Sequence, residues 1–274
     1  MSTSSITPSI ALPLRIVPSV LLDIRRPQRM MERSVYVYRR AWLILASGFV
    51  EPLFYLLSIR VGLAELVGDV ETNGRLVPYD QFVAPGLMAA AAMNGAVFEC
   101  TANVFYKIKH SKLYDAVLAT PMSAGDVALG EIGGAVVRSG VYSIAFALTM
   151  WALGMVQSPW IVLGIPAAVL IGFAFASLGM ALTTFMRSWE HFEYVPAITL
   201  PLFLFSTTFY PISQYGEWSW LVGLSPLYHG VELIRAANLG QWDPSIIGHV
   251  AVLVGLTVLG VTVAARRIER LLLT

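Results

Sequence analysis

Charge is scarce in this sequence: 13% of its 274 residues are Asp, Glu, Lys or Arg, about half the share of a soluble domain. That scarcity excludes an ordinary solvated surface over most of the chain. Cysteine is nearly absent as well, and the single Cys100 excludes a disulfide framework or a cysteine-based zinc site within one chain. Lysine occurs only at Lys107, Lys109 and Lys112. None closes a Gly-x-x-x-x-Gly-Lys-Ser/Thr loop, so the chain offers nucleotide phosphates no cradle of that kind. A Gly-x-Ser-x-Gly elbow and a His-Glu-x-x-His pair are missing too. The four histidines, His110, His191, His229 and His249, are widely scattered. No catalytic residue, metal site or nucleic-acid partner is therefore assigned.

What the chain has instead is long apolar runs. Hydrophobic residues make up 57% of it, and the mean hydropathy is +0.69. A helix needs about 20 mostly apolar residues to cross a bilayer. Residues 41–63, 82–106, 133–156, 160–186 and 246–265 meet that length readily. Residues 194–212 are shorter and carry Pro196, Pro201 and Pro211, yet count as a sixth crossing. The first residues are Ser/Thr-rich and uncharged, so the run from Ala41 is expected to stay as an anchor. The expected fold is an all-α integral membrane protein with six transmembrane helices. Residues 1–40 form an N-terminal arm, and 41–274 form one membrane domain.

Orientation follows from the basic residues, because cytoplasmic loops are enriched in Lys and Arg. With six crossings, fifteen of the eighteen fall on one side. Only Arg60, Arg75 and Arg235 fall opposite, among Glu65, Asp69, Glu71, Asp80, Glu217, Glu232 and Asp243. The basic side, with both termini, is expected in the cytoplasm and the protein in the cell membrane.

Three connections are long enough to do something. In the arm, Met30, Met31, Val35 and Tyr38 share one helical face while Arg29, Arg33 and Arg40 fall elsewhere. Such a basic amphipathic helix lies along lipid headgroups, either as a lipid anchor or as an elbow that also touches a cytoplasmic partner. The loop after the second crossing suits a short helix over 112–119, stopped at Thr120-Pro121 because proline disfavours helical geometry in the residue before it. Ser123 or Asp126 can cap the helix that follows. This element is either a cover for the bundle ends or a lever joined to two crossings. The outer segment 211–244 is aromatic and too interrupted to cross, and suits re-entrant helices. Tyr210, Trp218, Trp220 and Tyr228 are candidates there for an interfacial belt or an outer gate.

Ionisable and polar groups inside crossings are functional candidates by default. Glu51 lies in the first; Asn94 and Glu99 lie in the second. Asn94 and Glu99 are five residues apart and diverge by about 140° around a helix of 3.6 residues per turn. Either they hydrogen-bond neighbouring helices, or they handle a proton or a substrate.

Several stretches together resemble the type-2 ABC exporter permeases, in particular the branch related to nodulation-type lipo-oligosaccharide exporters. They are Glu51-Pro52-Leu53-Phe54-Tyr55-Leu56-Leu57, the run 82–99, the loop 114–123 with Gly130-Glu131, and 226–235. The resemblance implies that Lys112, Leu113, Tyr114, Asp115, Ala116, Val117, Leu118, Ala119, Thr120 and Pro121 form a coupling helix seated on a separate cytoplasmic ABC ATPase. It implies an elbow helix in the arm touching the same ATPase, with ATP and magnesium held there and no cofactor on this chain. It also implies a second permease, a copy or a paralogue, with the pathway between the two. The substrates of such families range over drugs, lipids and lipid-linked glycans. A membrane-embedded lipid-modifying enzyme using Glu99 or Glu51 and an energy-independent channel or scaffold are the competing readings.

Overall fold

The computed structural model describes residues 25–40, 50, 53–72, 74–110, 113–118 and 122–272. Glu51, Lys112, Ala119, Thr120, Pro121 and most of the expected first crossing lie outside the described residues.

The first helix, α1 (Arg25–Arg40), opens with Pro27 in its first turn, where a missing N–H breaks no helical bond. Its Met30 and Met31 lie on a later helix. Residues 53–67 form α2, which loosens into a π-turn over Ile59–Leu63 and stops at Gly68, whose φ of 73° favours glycine. Next comes a small antiparallel hairpin, β1 (Asp69–Thr72) with β2 (Arg75–Pro78), in which Val70 faces Val77. The hairpin adds two strands to an otherwise helical protein. Thr72 pairs with Arg75 across a two-residue connection that reads Asn73-Gly74 in the sequence, the commonest signature of a tight hairpin turn.

Among the described residues, four helices are long and apolar enough to cross a membrane: α3 (Tyr79–Lys109), α5 (Gly125–Ala152), α6 (Pro159–Thr183) and α9 (Ser245–Leu271). The shortest has 25 residues and reaches about 38 Å at 1.5 Å per residue, more than a hydrocarbon core of about 30 Å. Between α3 and α5 sits the short α4 (Leu113–Leu118). Ser123 then caps α5: its hydroxyl accepts from the Asp126 amide while the Asp126 carboxylate accepts from the Ser123 amide.

The region 194–212 is not one continuous helix. After a 3-10 turn, α7 (Tyr194–Leu204) ends at Phe205. Pro201 has already removed one backbone donor, and Thr207 takes a positive φ of 58° that a regular helix forbids. Ser206, Thr207 and Thr208 are fully buried. A 3-10 stretch (Ile212–Trp218) and a single turn (Ser219–Gly223) lead to α8 (Pro226–Leu239), closed by the left-handed Gly240.

Helices α3, α6 and α9 run from the hairpin end to the other end of the bundle, and α5 runs back. Thr183 Oγ donates to the Cys100 carbonyl, joining the ends of α3 and α6. At the opposite end Asn238 donates to Met155 O and Gln157 bonds Gln81. One end therefore carries Arg33, Lys107, Lys109, Arg187, Arg266, Arg267 and Arg270, while the hairpin end carries Glu65, Asp69, Glu71, Asp80 and Asp243. These are the basic and acidic ends below. Helix α6 sits at the centre against α3, α5 and α9.

Candidate functional site

Three places bring polar chemistry together. The first is at the basic end, where four helices meet on Glu131. Its side chain is 2% exposed, and it pairs with Lys107 of α3 at 2.6 Å and with Arg33 of α1 at 3.7 Å. Tyr114 of α4, 1% exposed, lies against the same carboxylate. Burial pushes its hydroxyl well above the usual tyrosine range, and the charge of Glu131 pushes it further up. The helix α1 reaches this point because α5 offers glycine. A Cβ on Gly130 would collide with the Met30 side chain, and one on Gly133 would sit 2.6 Å from Met31 Sδ. Small residues thus let two backbones approach. Leu113 and Val117 of α4 pack half-buried against the core. Asp115, Ala116 and Leu118 lie on the same helix.

The second place is a groove of about 680 Å³ walled by Tyr55 of α2, the middle of α3, Arg138 and Tyr142 of α5, and α7. Asn94 lines it and is exposed. Glu99 turns away, buried at the start of a π-turn over Glu99–Asn103, a local widening often found at functional sites. Arg138 Nη1 donates to Glu99 Oε2 at 2.7 Å, Asn103 donates to the other carboxylate oxygen, and Arg138 Nε donates to the Tyr142 hydroxyl at 2.9 Å. Such a pair is how an ionised group survives at membrane depth.

The third is at the acidic end. Arg235 of α8, 2% exposed, pairs with Glu232 at 2.5 Å. Its Nη2 donates to Thr207 O at 2.6 Å and to Phe82 O at 3.4 Å, and its guanidinium lies 4.1 Å over the Phe82 ring. The Thr207 hydroxyl donates to Glu232. One cation thus holds the irregular segment after α7 to α8 and to the start of α3. Of the four aromatic candidates, Tyr210, Trp218 and Trp220 are exposed and only Tyr228 is packed, its ring against His229 and His249. Those two imidazoles face each other at 2.7 Å, Nδ1 to Nδ1.

Sequence reasoning named Tyr114, Asn94 and Glu99 but not the groups they meet. Arg138 and Glu131 lie in one helix, Glu99 and Lys107 in the preceding antiparallel one. Opposite charges at matched depth in consecutive crossings were the available signal. Nothing comparable pointed to Arg235 with Phe82, which are 153 residues apart.

A bundle of long apolar helices, with buried charge pairs between them and a groove in one flank, defines a polytopic helical membrane permease. Residues 28–239 match the ABC-2 type transporter family, and the chain belongs to that family, in its nodulation-type branch. It is similar to Nodulation protein J of Sinorhizobium fredii, 29% identical over 245 residues, or 88% of this chain and 92% of that protein. The Nodulation protein J of Rhizobium leguminosarum bv. trifolii is 30% identical over 224 residues, covering 81% of this chain and 84% of the relative. The chain is thus a membrane-embedded component of an ABC transporter, a transport subunit and not itself a catalyst.

Proposed function

We propose that the chain is the transmembrane half of an ATP-driven exporter that moves an amphiphile (drug, lipid or lipid-linked glycan) outward. It crosses the cell membrane six times, 41–63 and 194–212 joining the four long helices, with both termini in the cytoplasm. The sorting of fifteen of eighteen basic residues to one side favours this orientation. Residues 1–40 are the cytoplasmic arm with α1 as its elbow helix, and 41–274 are the permease domain. Residues 112–121 are the coupling helix, α4 at its centre. The segment from Tyr210 to Tyr228, with Trp218 and Trp220, gates the outer end as re-entrant turns. ATP and magnesium bind a separate ABC ATPase. A second permease, copy or paralogue, completes the unit within membrane lipid. Closure of the ATPases pushes the coupling helices, narrows the pathway past Glu51, Asn94 and Glu99, and expels the substrate.

The observation that carries this reading is the junction on Glu131. A push on α4 meets no slack, because buried Tyr114 bears on the carboxylate that also holds Lys107 and Arg33. Glu99 supports the permease reading over the lipid-modifying one: each of its oxygens already accepts a hydrogen bond, from Asn103 or Arg138, and the carboxylate is buried out of the groove.

The test is capture of the ATPase expressed from the same operon or genome. Asp115→Arg with Ala116→Arg should lower co-purification of that ATPase at least tenfold while the permease still elutes as one species. Undiminished capture by this variant refutes the coupling assignment.

A further inference from the structure

The charge balance of the groove bounds what it can hold. Arg138 is the one charged side chain among its described lining residues. Its charge is already neutralised by Glu99, which lies behind it and out of the groove. A second anion brought to Arg138 would place two negative groups around one guanidinium at membrane depth. A cation would face the guanidinium with no carboxylate among the described lining residues. Either leaves uncompensated charge in a low-dielectric site, the costliest arrangement for a buried ion.

Hydrogen-bonding capacity remains. Arg138 lines the groove and spends Nε on Tyr142 and Nη1 on Glu99, while Nη2 makes no hydrogen bond among the described residues. Asn94 opens into the same space, and its amide, two donors and one acceptor, also makes no hydrogen bond there. Apart from Thr101 and Thr199, whose hydroxyls donate to carbonyls of their own helices, the rest of the wall is apolar or aromatic, with Phe98, Phe192 and Phe203 along it. A volume of about 680 Å³ falls among small-molecule sites, which run from about 300 to 1,000 Å³.

We infer that this groove selects an uncharged amphiphile, its head a carbonyl or amide held by Arg138 Nη2 and Asn94, its apolar tail along the aromatic wall. The inference rests on the export reading and narrows it to substrates of zero head charge. Glu99 then works as a specificity residue that touches no substrate: it cancels Arg138 and so excludes anions.

The test uses the purified full chain in phosphatidylcholine nanodiscs. A diazirine-bearing dodecanoyl amide is photo-crosslinked and its site mapped. N-dodecanoylethanolamine, dodecyl phosphate and dodecyltrimethylammonium, alike in chain, then compete for it. The uncharged competitor should be at least tenfold more potent than either ion. Glu99→Gln, which strips Arg138 of its counter-charge, should invert the order so that the phosphate leads. Asn94→Ala, a change at an exposed side chain that makes no hydrogen bond among the described residues, should weaken the ethanolamide at least threefold and leave the ions unmoved. That last variant keeps the test sound even where Glu99→Gln fails to fold. Equal potency of the three probes, or a leading phosphate in the unaltered chain, overturns the inference alone. If no probe labels the groove, whether because a second copy fills it or because the pathway runs elsewhere, the export pathway falls together with it.

Discussion

Glu131→Ala is expected to lower transport at least tenfold in the assembled complex while ATP hydrolysis continues. The carboxylate is the counter-ion of Lys107, whose side chain is 14% exposed, and Arg33 lies within reach at 3.7 Å. The half-exposed Arg33 contact is worth at most about 1 kcal/mol. The Lys107 pair is another matter, because removing one partner of a buried pair strands the other charge and costs about 3–5 kcal/mol. Local order should therefore be lost where α1, α3, α4 and α5 converge, and a push on α4 would no longer reach α3 and α5 together. Glu131→Gln should be milder, since its amide oxygen still accepts from Lys107. Pairing Lys107→Gln with Glu131→Gln should recover at least half of the lost thermal stability, because the stranded charge goes with its partner. Simultaneous transport and hydrolysis assays with a thermal melt of each variant decide the matter. Full transport by Glu131→Ala would contradict it.

The second large effect is expected at the opposite end. Arg235→Leu removes a cation that serves Glu232, the Thr207 and Phe82 carbonyls and the Thr207 hydroxyl. Leucine fills part of the space but leaves the carbonyls without this donor and Glu232 without its counter-charge, held by the Thr207 hydroxyl alone, again a cost of about 3–5 kcal/mol. Arg235→Lys should rescue little. The three donors of an ammonium radiate from one nitrogen and do not span the oxygens that Nη1 and Nη2 reach separately, nor does it stack flat on Phe82 as guanidinium does. The change should show as protease cleavage within residues 205–225, ahead of any loss of the long helices by circular dichroism. Glu232→Gln combined with Arg235→Met should lessen that cleavage. A protease-resistant Arg235→Leu protein would show that the segment after α7 is held by something else.

Much of this architecture was legible because lipid imposes simple demands on sequence. Every long apolar helix found here lies within or overlaps a run expected to cross, as α6 does over 160–186. The Ser123–Asp126 cap is local chemistry written in adjacent residues. The angular divergence of Asn94 and Glu99 was legible too, and the two do face different ways, one into the groove and one toward α5. What could not be read was rotation of one helix against another. An apolar crossing looks alike all round: α3 is alanine-rich and buried on nearly every face, so nothing in its periodicity chose Arg138 as the partner of Glu99. The break after Leu204 was only half visible. Pro201 and Pro211 marked an irregularity, but the buried Ser206-Thr207-Thr208 depends on Arg235 arriving from α8. The hairpin could have been found from Asn73-Gly74, had the segment not been passed over as a connecting loop.

Cysteine placed at 115 in a chain whose Cys100 has been replaced by serine gives the most direct measurement. On inverted and right-side-out vesicles holding the co-expressed ATPase, a bifunctional maleimide should join position 115 to the ATPase from the cytoplasmic face only, and ATP should change the yield. Labelling of position 115 from the outer face would contradict the account, reversing the direction of every helix in the membrane and leaving the Glu131 junction out of reach of any cytoplasmic motor.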